Sequence, residues 1–336
     1  MGIVTSLALS ARVTLNMHSL NNEGTEGNQQ QTRMVHIIDG LGRRAVVNAV
    51  SGDMFKHILV EHLTPLLSEA GDRLSPGARK HDADRIQAGN PEFTDFCQKE
   101  QEFATPEGKT EKRRARESEV MTRMLQDCAV TDLAGALVTK PSVGRKSVAE
   151  FGWVVGLPYD GEGNPVTTTE QYFHVKYAPE GRGKATGGET VAGQQAIFHR
   201  PASSGVYALI CNLDIWRIGL NDITREFVVS RELRRTRARC LIEALAATLV
   251  KPTGAQRNTQ NPHIVACEGA IAVSSRILPA PTVSPLADAY REQIELTAAQ
   301  LNRMQPGAIT TYSFDTLAEG VDILAQISGS LELPEV

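Results

Sequence analysis

The sequence predicts an α+β protein, a sheet with helices packed on one side, for which a ferredoxin-like arrangement is the commonest small solution. Three observations carry that prediction. From Leu7 to Met17 every odd position is apolar, the period of a long strand with one buried face. Two later segments, opening at Ser51 and at Ser230, carry apolar residues at helical spacing behind a capping serine. Strands and helices follow one another in mixed order, and no repeat of about 20–50 residues is present, which excludes a solenoid.

The elements follow in order. The even positions of the first strand are Ser6, Ser10, Arg12, Thr14, Asn16 and His18, interrupted only by Ala8, so its second face is wet. Residues 16–31 read as a polar loop of amides, hydroxyls and glycines. Apolar runs at 34–38 and 45–50 flank Asp39-Gly40, a turn dipeptide, and predict a hairpin. Met54, Phe55, Ile58, Leu59 and Leu63 share one helical face, and Thr64-Pro65 is expected to start a second helix. Residues 71–119 are strongly charged and poor in aliphatics, as an insertion would be; the chain then returns to an amphipathic helix with Val120, Met121, Met124, Leu125 and Cys128 on one side. Runs at 133–138, 151–157, 172–177 and 206–215 predict strands, and Gly181–Gly193 predicts a long hairpin tip. Residues 230–250 form a helix whose buried stripe is Leu241, Ile242, Leu245 and Leu249, and 263–274 a strand. Two helices close the chain, entered through Ser284-Pro285 and through Thr316 with Glu319 at capping-box spacing.

Composition bounds the function. At 336 residues, 41% hydrophobic and 22% charged, the chain is an ordinary globular one, long enough for a sizeable core. No run approaches the ~20 apolar residues of a membrane helix. Met1-Gly2 with Ser6 fits the short myristoylation pattern, but the alternation that follows reads as a strand to be buried. Five cysteines without a C-x-x-C spacing fit a reducing compartment, so the cytoplasm is expected. The net charge is −4, from 35 basic and 39 acidic residues. Affinity for a polyanion must therefore come from where the positive charges lie.

A search for catalytic motifs is negative. Gly181-Arg182-Gly183-Lys184 lacks phosphate-loop spacing, with Ala185 where a hydroxyl belongs. There is no H-E-x-x-H, no G-x-S-x-G and no metal-spaced set among the eight histidines. Asp39, Asp53 and the pair Asp160 and Glu162 sit in turn-like contexts, where acidic residues are common. No catalytic residue, metal or cofactor is expected. The positive signals are donors. Asn21, Asn22, Asn28 and neighbouring glycines follow the first strand; Ser51-Gly52 opens a helix carrying Lys56 and His57, and free N–H groups at a helix start attract anions. Lys140–Ser147 is a short basic segment containing Arg145 and Lys146, and Thr253–Asn258 places Gln256 and Arg257 on a glycine-containing turn. Arg231, Arg234, Arg235, Arg237 and Arg239 load one helix; packing and surface ion pairs are favoured there, with Glu232 spaced to meet Arg235.

The order of these segments resembles the DevR family of CRISPR-associated proteins. The resemblance rests on Leu9-Ser10-Ala11-Arg12-Val13 through Leu20-Asn21-Asn22-Glu23-Gly24 to Gly27-Asn28, then Val50-Ser51-Gly52 with Lys56-His57, then Thr131-Asp132-Leu133-Ala134-Gly135, then Gly254-Ala255-Gln256-Arg257. Ala134 stands where the pattern has an aromatic residue. The resemblance implies a modified RNA-recognition-motif (ferredoxin-like) palm from 1–70 and 131–275, a helical fingers insertion at 71–130, a β-hairpin thumb at 178–205 and C-terminal helices at 276–336. It implies a non-catalytic backbone subunit of a type I Cascade complex in prokaryotic antiviral defence, repeated as a helical filament along CRISPR RNA. Its partners would be that RNA, copies of itself, the subunit capping the guide's 5′ end, the large and small subunits, and the target DNA strand paired to the guide; no membrane is involved. The RNA contacts it implies are Asn21, Asn22, Asn28, Ser51, Lys56 and His57, then Arg145, Lys146, Gln256 and Arg257, then Arg182 and Lys184 of the thumb. Two other readings compete. One is a metal-dependent RNA endonuclease on the same palm, working through Asp39 or Asp53. The other is a transcriptional autoregulator, which lacks a helix-turn-helix signature.

Overall fold

The computed structural model describes residues 2–104, 108–176, 196–255 and 259–334. Strand β1 (Ser6–His18) opens the chain. Two hairpins follow, β2 (Asn22–Glu26) with β3 (Gln29–Thr32) and β4 (Met34–Ile38) with β5 (Arg44–Val50), and lead into helix α1 (Gly52–Glu69). Next come α2 (Pro76–Arg79), α3 (Pro91–Gln98), the small hairpin of β6 (Gln101–Ala104) and β7 (Thr110–Arg113), α4 (Glu117–Asp127) and α5 (Ala129–Ala134). A second small hairpin pairs β8 (Ala136–Thr139) with β9 (Ser142–Arg145). The chain then returns to the main sheet with β10 (Ala149–Phe151), β11 (Val154–Gly156), β12 (Thr167–Lys176) and β13 (Ala196–Leu213). Helix α6 (Arg231–Val250), β14 (His263–Ser274), α7 (Tyr290–Met304), β15 (Ile309–Phe314) and α8 (Leu317–Gly329) complete it.

The main sheet runs β15-β14-β1-β13-β11-β5-β4, with β10 and β12 also paired to β13. Its centre is β1, antiparallel to β13 on one side and to β14 on the other. The alternation in the sequence explains this position. Leu7, Leu9, Ala11, Val13 and Leu15 enter one core with Leu59 and Leu63 of α1 and Leu241 and Leu245 of α6. Each fully buried leucine contributes roughly 1.5–3 kcal/mol, so a slip by one residue would expose the whole set. Among the described residues no helix is long and apolar enough to cross a membrane.

The mixed α+β class and the large antiparallel sheet agree with the sequence, but several expectations need correction. Helices do not lie on one side only. Ala8, the lone apolar residue on the wet face of β1, meets Ala270, Ala272, Tyr290 and Ile294, so α7 covers the opposite face. Thr64-Pro65 does not restart a helix: α1 continues to Glu69, because Leu67 is buried in the same core, and the Thr64 hydroxyl donates to the Val60 carbonyl at 2.8 Å. The polar loop at 16–31 contains the β2–β3 hairpin, which turns at Gly27 with φ of 60°. Its residues are polar on both faces, so alternation gives no signal. The run at 133–138 begins as helix α5 and becomes strand only at Ala136. Ser284-Pro285 forms a turn, and α7 starts at Tyr290. Strand β15, too mixed in polarity to stand out, extends the sheet beside β14.

Candidate nucleic-acid interface

Three segments far apart in sequence meet at the end of β1. A register shift after Leu15 and a left-handed Met17, φ 57°, swing the chain out of the sheet. The Asn21 side-chain oxygen then accepts from the Ser51 N–H at 3.1 Å, tying this loop to the start of α1. The Ala255 N–H donates to the Leu20 carbonyl at 3.2 Å, and a Cβ at Gly254 would stand 2.6 Å from the Leu20 Cα, so only glycine permits that approach. At the other flank, a Cβ at Gly52 would lie 2.4 Å from the Phe151 carbonyl oxygen, which brings the end of β10 against the same helix start.

The result is a cleft of about 350 Å³ lined by Arg33, Ser51, Lys56, Ser147, Glu150 and Trp153, among others. Ser51 caps α1, its hydroxyl accepting from the Met54 N–H at 3.2 Å. Lys56 stands one turn in, 3.4 Å from a fully solvated Asp53, an exposed pairing that screening weakens. The Arg33 carbonyl accepts from Asn48 Nδ2 and the Ala49 N–H, which fixes its backbone. Its guanidinium pairs with Glu23 and lies 5.1 Å from the centre of the Trp153 ring. Trp153 remains 46% exposed. Chemically, the cleft combines two cations, hydroxyls, a helix start and a half-exposed aromatic face with two carboxylates, Asp53 and Glu150; the donors and the ring suit a phosphate and a stacked base whose edge is not read, and the carboxylates keep the net charge low.

The expected contact residues fare differently. Ser51 and Lys56 line the cleft. Asn21 is buried and braces the helix start. Asn22 accepts from the Ser19 hydroxyl at 2.7 Å, and its Nδ2 is buried without a partner. Asn28 is exposed at the β2–β3 turn, where its carbonyl accepts from the His199 N–H at 2.8 Å, docking the hairpin on β13. His57 points outward, with Nε2 3.5 Å from Glu61. Lys146 is exposed. Gln256, Arg257, Arg182 and Lys184 lie outside the described residues. Arg145 is a correction. Its side chain is fully buried, held by Asp132 at 2.8 Å, Asp222 at 2.9 Å and the carbonyls of Arg217 and Leu220, so it has no donor to offer a ligand.

Asp132 is the hub of that network. Its carboxylate also accepts from Arg237 at 2.8 Å and from the Gly219 N–H at 2.9 Å, and Arg237 bonds Asp72 in turn. The Asp-Leu-x-Gly segment thus fixes α5, β9 and α6 to one another; Gly135, φ 75°, would carry its Cβ to within 2.7 Å of the Arg145 carbonyl oxygen. On α6, Arg235 meets Glu332 at 2.8 Å and not Glu232.

Of the acidic candidates, Asp39 and Asp160 are engaged in turns, whereas Asp53, expected in a turn, stands solvated in the first turn of helix α1 beside Lys56. The Asp39 carboxylate loses some solvation, but the Arg43 N–H and guanidinium and the Leu41 N–H outweigh that loss and hold it below the usual carboxylate range. Asp160 is lowered by the Asn164 side chain and by N–H groups of its own turn. Among the described residues no three His, Cys, Asp or Glu side chains are placed to hold a metal ion. Beneath the cleft, His18 is buried with its ring 4.9 Å from Tyr207. Burial lowers its pKa to about 4, so it is neutral at neutral pH. Tyr207 donates to Asn48 at 2.9 Å, and burial raises its own pKa.

Sequence reasoning passed over Arg33 and Trp153. Arg33 precedes a strand whose pattern drew attention to its apolar residues, and Trp153 sits in a run read only as a strand. The signal was the Gly152-Trp153 step, which separates β10 from β11 and turns the indole outward.

Comparison with known proteins adds the family. No curated protein matches the chain. A solved structure shares the fold: a chain of a "CRISPR RNA-guided surveillance complex, pre-nicking" is 14% identical, with 96% of this chain and all of that one covered and a TM-score of 0.52. A chain of another "CRISPR RNA-guided surveillance complex" is 11% identical, with 97% and 99% covered and a TM-score of 0.46. Residues 9–295 match the model of the family described as "CRISPR-associated negative auto-regulator DevR/Csa2". With residues 9–295 of its 336 matched, the chain belongs to the CRISPR-associated DevR/Csa2 family.

Proposed function

We propose that this protein is a non-catalytic backbone subunit of a type I Cascade effector in the prokaryotic cytoplasm, assembling in copies along a CRISPR RNA and presenting the guide to target DNA. The single observation that carries this reading is the cleft at the start of α1, between the end of β5 and β10, lined by Ser51, Lys56, Arg33 and Trp153 and braced from behind by Asn21. A guide of changing sequence must be held by phosphates, sugars and stacking while its base edges stay free to pair, and these side chains suit that task. Modest contacts repeated in a row of copies sum to tight binding without a basic surface.

The strand order supports a modified RNA-recognition palm. Taking β1, the β10–β11 pair, β13 and β14 as its four strands, their order in the sheet is 4-1-3-2, with α1 and α6 packed together on one face. In this reading 1–70 and 131–275 form the palm, 71–130 the fingers and 276–336 the closing segment. Of the thumb at 178–205, residues 196–205 belong to β13, which pairs antiparallel with β12 from Thr167–Gly205 to Lys176–Ala196, and 178–195 lie outside the described residues. The other partners are the 5′-end cap, the large and small subunits, and the DNA strand paired to the guide. The sequence holds two tryptophans, Trp153 and Trp216, so W216F leaves a single reporter in the cleft. Single-stranded RNA is expected to quench its emission saturably, and K56E to weaken that binding at least tenfold. Unchanged emission together with no RNA bound would refute the proposal.

A further inference from the structure

A second pocket, of about 680 Å³, opens at the start of α6 and is lined by Arg225, Glu226, Phe227, Arg231, Arg234 and Pro334, among others. It lies at the far end of a 20-residue helix, ~30 Å long, from the 252–255 loop that bonds the Leu20 carbonyl behind the cleft. Arg234 is 3% exposed, lies with its guanidinium 3.3 Å from the centre of the Phe227 ring and donates from Nε to the Ile218 carbonyl at 2.9 Å. Its Nη2 is buried with no hydrogen-bond partner. Nearby Arg217, Arg235 and Arg237 all have carboxylate partners. Among the described residues, Arg225, Arg231 and Arg234 have none within ion-pairing distance, although Glu226 shares the pocket. A buried guanidinium left short of acceptors is costly, and a carboxylate is the group whose geometry matches its fork.

The surroundings favour a polypeptide as the source of that group. The chain already lays one along this helix: Arg231 donates to the Leu333 carbonyl at 2.7 Å, Arg235 to the Leu331 carbonyl at 2.9 Å, and Arg235 meets the Glu332 carboxylate. Pro334 continues that extended segment to the wall of the pocket. We propose that the pocket at the start of α6 is a carboxylate-binding site for an acidic segment of a protein partner. It is separate from the RNA cleft and does not depend on the reading of that cleft.

The test uses the full chain and a fluorescein-labelled hexaglutamate peptide followed by anisotropy. The peptide is expected to bind where a hexaserine peptide does not, and R225Q and R231Q each to weaken it at least tenfold. Arg225 is exposed, so R225Q keeps the fold even if R231Q loosens the segment at Leu333, and it leaves RNA binding unchanged. Equal binding by wild type and R225Q would overturn the proposal. So would displacement of the peptide by equimolar inorganic phosphate, which marks a free-anion site, or by equimolar single-stranded RNA, which marks a nucleic-acid site.

Discussion

The basic residues around Asp132 and those around Trp153 look alike in sequence and do opposite work in the fold. Arg145 and Arg237 are fully buried, and their carboxylate and carbonyl partners are numerous enough to leave no charge for a ligand. Lys56 and Arg33 keep partial exposure, each with one solvent-facing carboxylate neighbour that a phosphate can replace. A cation therefore becomes glue or interface according to whether its charge is answered inside the protein. Burial gives the first kind a large structural cost on removal, and screening makes the second kind cheap to lose and sensitive to salt.

Exchanging the two roles breaks the comparison most sharply. D132N strips the hub from two buried guanidinium groups and is expected to destabilise the fold by ~3–5 kcal/mol, read as a fall in denaturation midpoint, while folded molecules bind RNA as before. A stable D132N protein would show that the network is not the brace described. His18 gives the next effect. Its folded pKa of about 4 lies below its ordinary 6.5, so the unfolded chain takes up a proton first as pH falls. The stabilisation is complete above pH 6.5 and is lost down to about pH 4, on the order of 3 kcal/mol in all. H18Q should lose that part of the pH dependence; an unchanged acid limb would place the titration elsewhere. W153A is expected to weaken RNA binding by ~1–3 kcal/mol, the range for one stacked base, with little change in thermal midpoint. K56Q is the mildest: roughly one unit less slope in log affinity against log salt, again with stability unchanged. If K56Q unfolds the protein and D132N abolishes RNA binding, the two sets have been assigned the wrong way round.

What was legible in the sequence tracks how strongly one physical effect dominated a segment. From Leu7 to Leu15 every odd residue enters the main core, so period two was unmistakable, although α7 covers part of the other face; Ser230, the stripe through Leu249 and the strand to Ser274 were equally plain. The β2–β3 hairpin and β15 were not, because backbone pairing and docking hold them and their side chains carry little pattern. Pro65 misled because local preference ends a helix there while Leu67 continues its buried face. At the site, Asn21, Ser51 and Gly254 were singled out separately, yet what unites them is a pair of hydrogen bonds across the fold. Arg145 and Lys146 are neighbours in one basic segment, and only tertiary packing decides that the first turns inward to Asp132.

The central claim, that copies of this chain line up along one RNA through the cleft, is tested most directly by the mass of the complexes formed on single-stranded RNAs of increasing length. The number of bound chains should climb in equal steps with RNA length for the wild-type protein, and the ladder should collapse for K56E. A single chain per RNA at every length, or a ladder untouched by K56E, would contradict it.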